Sequence, residues 1–175
     1  PILGSVAILG LAISFGSQNL VSYVVNGFFI LIENQFAVGD FIEIGGRGGT
    51  VEKINLRTTQ IRQLDGTLHV VPNGSIDSVA NQTRDWARTV VHIGVAYDAD
   101  LATVEAVING VGDELYADPE WSPSLEEAPR FIGVTELADS AVNLRCMALC
   151  EPGSQWGLGR ELNRRLKLAF DARGI

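Results

Sequence analysis

The residues best suited to chemistry in this sequence are two cysteines, two histidines and a few serine and aspartate side chains. Cys146 and Cys150 are four positions apart in a run typical of a β-strand, so they share one face of it. A zinc site needs four protein ligands, or three and a water molecule, and neither His69 nor His92 lies in a supporting motif. The sequence therefore predicts two buried thiols, with no metal site and no cofactor.

Catalytic patterns are equally weak. Asp85, His92 and Ser140 supply the residue types of a catalytic triad, but nothing resembling a nucleophile elbow surrounds any serine. The glycines between Gly153 and Gly159 do not follow the spacing of a dinucleotide-binding loop. We therefore expect a protein that is not an enzyme.

The overall charge argues against a nucleic-acid partner. The 175 residues carry 13 Lys and Arg against 21 Asp and Glu, a formal net charge of −8. Phosphate binding depends on Lys and Arg releasing counterions, so an acidic chain is poorly suited to it. Two cysteines give no disulfide framework, which weakly favours a reducing compartment for the soluble part.

The elements that would position any site begin with an uncharged stretch. Residues 1–32 contain no Asp, Glu, Lys, Arg or His, which is long enough for a helix to cross a hydrocarbon core of about 30 Å. The stretch is rich in glycine and alanine and carries polar groups in its second half. Small residues let membrane helices approach closely, so we expect a helix that packs against copies of itself. A signal peptide is disfavoured because no basic region precedes the apolar run.

Helical spacing divides this stretch into faces. Leu11 and Phe15 lie one turn apart on an apolar face, and Ala7, Gly10 and Ser14 form a neighbouring face of small residues. Gly16-Ser17-Gln18-Asn19 weakens the helix, which predicts a kink near Gln18 and Asn19. Residues 20–34 beyond it have an apolar stripe, and they would either continue across the membrane or lie along its surface.

Short β-branched runs follow the helix. Strands are predicted at 41–44, 50–54, 58–62 and 67–71, separated by a glycine-rich loop at 45–49 and by the hairpin turn Asp65-Gly66. Pro72-Asn73-Gly74 ends this set. A sheet this small must close or be covered, which favours a small twisted barrel.

The rest of the chain predicts an α+β unit. Strands are expected at 90–95, 130–136 and 141–149, and helices at 100–115 and from 154 or 155 to 172. Asp98 or Asp100 would cap the first of these helices. The order β-α-β-β-α is that of a split βαβ sandwich without its last strand.

Several motifs occur in an order that resembles the small-conductance mechanosensitive channel (MscS) family. They are Gly10–Val21, Gly27–Phe36, Val38–Ile42, Gly49–Glu52, Arg57–Thr59, Asp65-Gly66, Val71–Gly74 and Val95–Asp98. They cover about the first hundred residues, and beyond them only the element order matches.

The resemblance implies a homoheptamer with three parts in each chain. Residues 1–34 would be a kinked, pore-lining transmembrane helix, residues 35–85 an Sm-like β-barrel, and residues 86–175 a split βαβ (ferredoxin-like) vestibule domain. The earlier tension-sensing helices of the family, and the C-terminal closing strand of many members, would have no counterpart among these 175 residues. The soluble domains would be cytoplasmic, beneath a bacterial inner (plasma) membrane.

Site residues are also implied by the resemblance. Leu11 and Phe15 fall at the two apolar gate positions, and Ala7, Gly10 and Ser14 fall where neighbouring pore helices pack. Gln18 and Asn19 match the family's helix break, and Gly27 a second flexible point. Phe15 stands where Leu is common and Ser14 where Gly is common, so gating threshold and conductance do not carry over.

The function implied is a channel opened by membrane tension that releases ions and small solutes on hypo-osmotic shock. Its partners would be further copies of the chain, membrane lipids and the permeating solutes, with no nucleic acid. Two alternatives stay open: a ligand-regulated MscS-like channel, and a membrane-tethered Sm-like interaction module. The second predicts basic or aromatic loops, whereas the loops here are rich in glycine.

Overall fold

A computed structural model describes residues 2–175, and it describes side-chain surroundings for residues 6–8 and 10–175. The chain forms two compact units, residues 1–84 and residues 85–175. The first begins with helix α1 (Ile2–Glu33), which is α-helical throughout. Asn34 follows it with a φ of 48°, the left-handed conformation that commonly ends a helix.

A five-stranded antiparallel sheet completes the first unit. Its strands are β1 (Phe41–Ile44), β2 (Arg47–Ile54), β3 (Thr58–Arg62), β4 (Leu68–Pro72) and β5 (Ala80–Asn81), in the order β4-β3-β2-β1-β5. Ile42, Val51 and Ile61 form its core, together with Ile30 from α1 and Phe36 from the connection. The sheet therefore buries its apolar face partly under the end of the helix.

Strand β2 starts earlier than the sequence predicts. Only Gly45 and Gly46 form the turn, with φ values of 57° and 76°, as a tight two-residue hairpin requires. Gly48 and Gly49 belong to the strand, paired with Glu43 and Ile42 of β1. A Cβ on Gly49 would lie 2.7 Å from the Arg62 carbonyl oxygen, so this glycine permits close packing of the backbones rather than a loop.

The second unit is an α+β sandwich with the predicted element order. It comprises β6 (Ala87–Val95), α2 (Leu101–Ala117), β7 (Arg130–Leu137), β8 (Val142–Cys150) and α3 (Gln155–Asp171). Strand β8 lies between β6 and β7 and is antiparallel to both, so β6 and β7 run parallel on either side of it. This is a split βαβ arrangement.

Strand alternation decides which face of this sheet is covered. Every second residue of β6 and β8, beginning at Ala87 and Val142, is buried in one core with α2 and α3. The residues between them lie on the opposite face of the sheet and are more exposed. Asp100 caps α2 by accepting hydrogen bonds from the Thr103 hydroxyl and from the Thr103 N–H, the latter at 3.0 Å, and these two bonds lower the pKa of the carboxyl.

An ion-pair cluster stabilises helix α3. The Glu161 carboxylate accepts hydrogen bonds from Arg164 at 2.7 Å and from Arg165 at 2.7 Å. These bonds lower the pKa of Glu161 from 4.5 to about 2. Arg165 also pairs with Asp118, just beyond the end of α2. The two helices are therefore joined by charge as well as by packing.

Candidate functional site

Before Tyr23, the side chains of helix α1 that the structure describes, at residues 6–8 and 10–22, are largely apolar and almost all exposed. Leu11 is 59% exposed and Phe15 is 74% exposed, and other large apolar side chains around the helix are similarly open. The stretch Val6–Glu33 has the length and composition to cross a membrane, and an apolar segment of 18 residues within it contains no buried residue. So large an apolar surface marks contact with lipid or with another protein.

The residues predicted to pack between pore helices are exposed as well. Ala7, Gly10 and Ser14 have no covering element, and a Cβ on Gly10 would meet nothing within 4 Å. The single chain therefore presents both the apolar face of Leu11 and Phe15 and the face of small residues to its surroundings. The gate and packing roles of these five residues remain predictions.

Helical structure continues through the segment where a kink is predicted. Gln18 and Asn19 are both helical and exposed, and α1 runs on to Glu33. The helix is therefore continuous through these two residues. A bend within the continuous helix remains a prediction.

The end of α1 is docked on the β-sheet of the same unit. Tyr23, Gly27 and Ile30 follow the spacing of one helix face and are less exposed than their neighbours. Gly27 is buried, and a Cβ there would lie 1.9 Å from the Leu56 carbonyl oxygen. Lack of a side chain lets the helix backbone reach the turn between β2 and β3. Close packing thus explains this glycine, and the flexibility predicted for Gly27 stays untested.

Asn73 organises the surface on which the helix lies. It is fully buried in a 3-10 turn, Asn73–Ser75, that directly follows β4. Its Oδ1 accepts a hydrogen bond from the buried Thr59 hydroxyl at 2.8 Å, and its Nδ2 donates to the carbonyls of Asn55 at 2.8 Å and Leu56 at 3.0 Å. Both hydrogens of its amide and its carbonyl oxygen are thus used, which fixes the turn beneath Gly27.

Gly74 supplies a second close contact. A Cβ there would lie 2.0 Å from Cδ1 of Tyr23, so the tyrosine ring rests directly on the glycine backbone. We call Tyr23, Gly27, Asn73 and Gly74 the docking contact. The sequence predicts that Pro72-Asn73-Gly74 ends a set of strands and includes it in a family motif, but it does not indicate this contact with the helix.

Loop contacts hold the end of α1 as well. The Arg84 guanidinium donates to the carbonyl oxygen of Asn34, the residue after the helix. Asp40 accepts hydrogen bonds from the Ala37 N–H at 3.0 Å and from Asn81 Nδ2 at 2.7 Å. The helix exit is therefore tied to β5 and to the segment that follows it.

The cysteines give no sign of reactivity. Both are free and buried, and burial raises the pKa of the Cys146 thiol to about 12. Within residues 2–175 no group of three or more His, Cys, Asp or Glu side chains is placed to hold a metal ion.

Two family profiles match most of the chain. A profile described as the mechanosensitive ion channel β-domain matches residues 19–84, and one described as the C-terminal region of MscS matches residues 89–175. The chain belongs to the MscS family of mechanosensitive ion channels. The first match begins inside α1, so the family's β-domain includes the helical segment that carries the docking contact.

Individual MscS relatives agree with this assignment. The chain is 38% identical to a small-conductance mechanosensitive channel of Caldanaerobacter subterraneus over 99% of its own length and 61% of that protein. It is 34% identical to the moderate conductance channel YbiO of Escherichia coli over its full length, but over only 24% of that protein. The chain thus spans about three fifths of the first relative and about a quarter of the second.

A solved MscS structure has the same fold. The closed-state crystal structure of Helicobacter pylori MscS matches 98% of this chain and 67% of that one, with a TM-score of 0.81 and 27% identity. A structure of Arabidopsis thaliana MSL1 covers 99% of the chain with a TM-score of 0.72 at 20% identity, which shows the shared fold alone. An apolar N-terminal helix, a β-domain and an α+β domain are therefore confirmed.

Proposed function

We propose that this chain forms the pore helix and the soluble domains of a homoheptameric channel that opens under membrane tension. It would release ions and small solutes on hypo-osmotic shock, as a non-enzymatic protein of the bacterial inner membrane with its soluble domains in the cytoplasm. The observation that carries the proposal is the uncharged, largely apolar and exposed part of α1, which continues without interruption into a docked segment.

Helix length supports this division of α1. Residues 2–22 precede the docking contact, and 21 helical residues span about 31 Å at about 1.5 Å per residue. That length matches a hydrocarbon core of about 30 Å. The remaining turns, from Tyr23 to Glu33, belong with the β-sheet against which they pack. The chain would thus cross the bilayer once, before its first ionisable acid at Glu33.

The exposed faces of α1 support self-assembly. Gly10 leaves open space beside it, and Ala7 and Ser14 are also small, so neighbouring helices would approach closely along this face. Leu11 and Phe15 would then form two apolar rings around the pore. A narrow apolar ring excludes water and so blocks hydrated ions without a plug.

Tension would act on this assembly as a bias between two states. An open pore occupies more membrane area than a closed one, and a stretched bilayer favours the larger state. The β-sheet of the first unit would be the Sm-like domain of the family, and the second unit its ferredoxin-like vestibule domain. The order β4-β3-β2-β1-β5, with the short β5 beside β1, supports the Sm-like interpretation.

Patch-clamp recording of the full-length protein in liposomes under graded suction tests the proposal. We expect step-like currents that appear above a threshold tension. Leu11→Ser and Phe15→Ser should each lower that threshold, because a hydroxyl eases hydration of the constriction. Ile13→Ser is a matched control, since Ile13 is 69% exposed on a different face of the same helix.

Two results would contradict the proposal. A monomer in detergent, measured by light scattering, would favour a tethered interaction module over a channel. Equal thresholds for wild type, Leu11→Ser and Phe15→Ser would place the constriction elsewhere on the helix.

A further inference from the structure

The sheet face of the second unit that lies away from α2 and α3 contains a cavity of about 600 Å³ that is widely open to solvent. Its polar lining comes from all three strands: His92 beside Gly94 on β6, Thr135 and Glu136 on β7, and Asn143 and Arg145 on β8. A volume of this size is within the range of small-molecule sites in proteins. Nothing in the channel mechanism uses these side chains.

Among the described residues that line this cavity, Arg145 is the one arginine. It lies on the central strand, with His92 directly opposite on β6 and Gly133 directly opposite on β7. The Nε of Arg145 is buried, and no described residue accepts its hydrogen bond. Leaving a buried donor of a charged group unpaired is costly, so this guanidinium is suited to an external acceptor. Its planar set of donors matches a carboxylate.

Glu136 supplies the opposite charge in the cavity lining. It is opposite Asn143, whose Nδ2 donates to the Glu136 carboxylate at 3.0 Å. Thr135 in turn donates to the Asn143 carbonyl at 3.1 Å, which fixes this corner of the cavity. Asn143 is two residues from Arg145 on β8, so Glu136 is a diagonal neighbour of Arg145, at about 7–8 Å between backbones.

We propose that this cavity binds a small amino acid whose carboxylate and ammonium groups are separated by several bonds. Arg145 holds the carboxylate, and Glu136, oriented by Asn143, holds the ammonium. The diagonal separation favours an ω-amino acid over an α-amino acid, in which the two charged groups share one carbon. His92 and Thr135 complete the polar wall. This binding is independent of the proposed channel function and extends beyond it.

Isothermal titration calorimetry of the full-length protein in detergent tests the site, with γ-aminobutyrate as the probe. We expect saturable binding of one molecule per chain. Butyrate and butylammonium, which each lack one of the two charges, should bind at least about tenfold more weakly, since each leaves one ionic contact unmade. Glycine, with its charges close together, should also bind more weakly.

Substitutions identify the residues involved. Arg145→Met and Glu136→Gln should each weaken γ-aminobutyrate binding by about tenfold or more, and Arg145→Lys should have an intermediate effect because it keeps the charge and loses the planar donors. Arg88→Met is the matched control. Arg88 is on the same face of β6 as His92 but does not line the cavity, and its guanidinium lies 5.4 Å from the centre of the Trp86 ring. Its replacement should leave γ-aminobutyrate binding unchanged.

Several outcomes would overturn the site. One is that γ-aminobutyrate releases or absorbs no heat of binding, and another is that butyrate binds as tightly as γ-aminobutyrate. A third is that the Arg145→Met and Arg145→Lys variants, with thermal unfolding like that of wild type, bind γ-aminobutyrate as tightly as wild type does. None of these results bears on tension-gated currents, so failure of the binding site and failure of the channel proposal are distinguishable.

Discussion

Replacing Gly27 by alanine tests whether α1 is truly held against the β-sheet. The added Cβ would lie 1.9 Å from the Leu56 carbonyl oxygen and 2.4 Å from Asn73 Nδ2. Neither atom moves freely, because one is backbone and the other donates two hydrogen bonds in a buried turn. Restoring an ordinary contact of about 3.4 Å therefore requires the helix to withdraw by about 1.5 Å.

The energetic cost follows from this geometry. Overpacking a tight contact costs about 1–3 kcal/mol, and the rigid neighbours here place Gly27→Ala near the upper end. Alanine regains up to about 1 kcal/mol through its better helix propensity. We therefore expect a net loss of about 2 kcal/mol in the stability of the first unit, seen as a lower thermal midpoint for the full-length protein in detergent.

Gly16→Ala is the matched control for this prediction. Gly16 is in the same helix, and a Cβ there meets nothing within 4 Å, so the variant should be as stable as wild type or slightly more stable. Equal midpoints for Gly27→Ala and Gly16→Ala would refute the close approach of the helix to the Leu56 turn.

Three further perturbations address other contacts. Asn73→Ala should lower the free energy of unfolding by about 2–4 kcal/mol, because it leaves one buried hydroxyl and two carbonyls without their hydrogen-bond partner. A loss below about 1 kcal/mol in thermal unfolding would contradict the network. Gly112→Ala should destabilise the second unit by about 1–3 kcal/mol, because the added Cβ would lie 2.0 Å from the Pro129 carbonyl oxygen. Gly110→Ala is the matched control and should leave the stability unchanged, because a Cβ on Gly110 meets nothing within 4 Å. Glu161 has a depressed pKa of about 2, so its contribution is complete above about pH 4.5 and is lost as the pH falls toward 2. Denaturant titrations should show wild type losing about 1 kcal/mol more than Glu161→Gln across that window, and parallel losses would exclude the effect.

Local signals in the sequence predict much of the fold. The turn Asp65-Gly66 and the β-branched runs beside it place β3 and β4 within a residue of their observed ends. Asp100, one of two candidates, is the observed cap of α2. These features depend on neighbours in the chain, so a single sequence contains the necessary information.

Long-range contacts are where prediction from sequence ends. Gly27 and Asn73 are 46 positions apart, and neither has a local pattern that indicates the other. The family resemblance implies a flexible point at Gly27, which stays a prediction, and the close packing that its small size permits has no local signal in the sequence. Arg145 and His92 likewise meet only because β6 and β8 pair. The roles of Leu11 and Phe15 depend on copies of the chain that a single sequence does not place.

Helix α1 continues without a break on the N-terminal side of Gly27, where it contacts the β-sheet, so a tilt about this contact would move the exposed part of the helix sideways. Leu11 is 16 residues from that contact, or about 24 Å along the axis at about 1.5 Å per residue. A tilt of about 10° about this contact carries Leu11 sideways by about 4 Å, more than the diameter of a water molecule. A small rotation of the helix against the β-sheet would therefore become a larger displacement at Leu11.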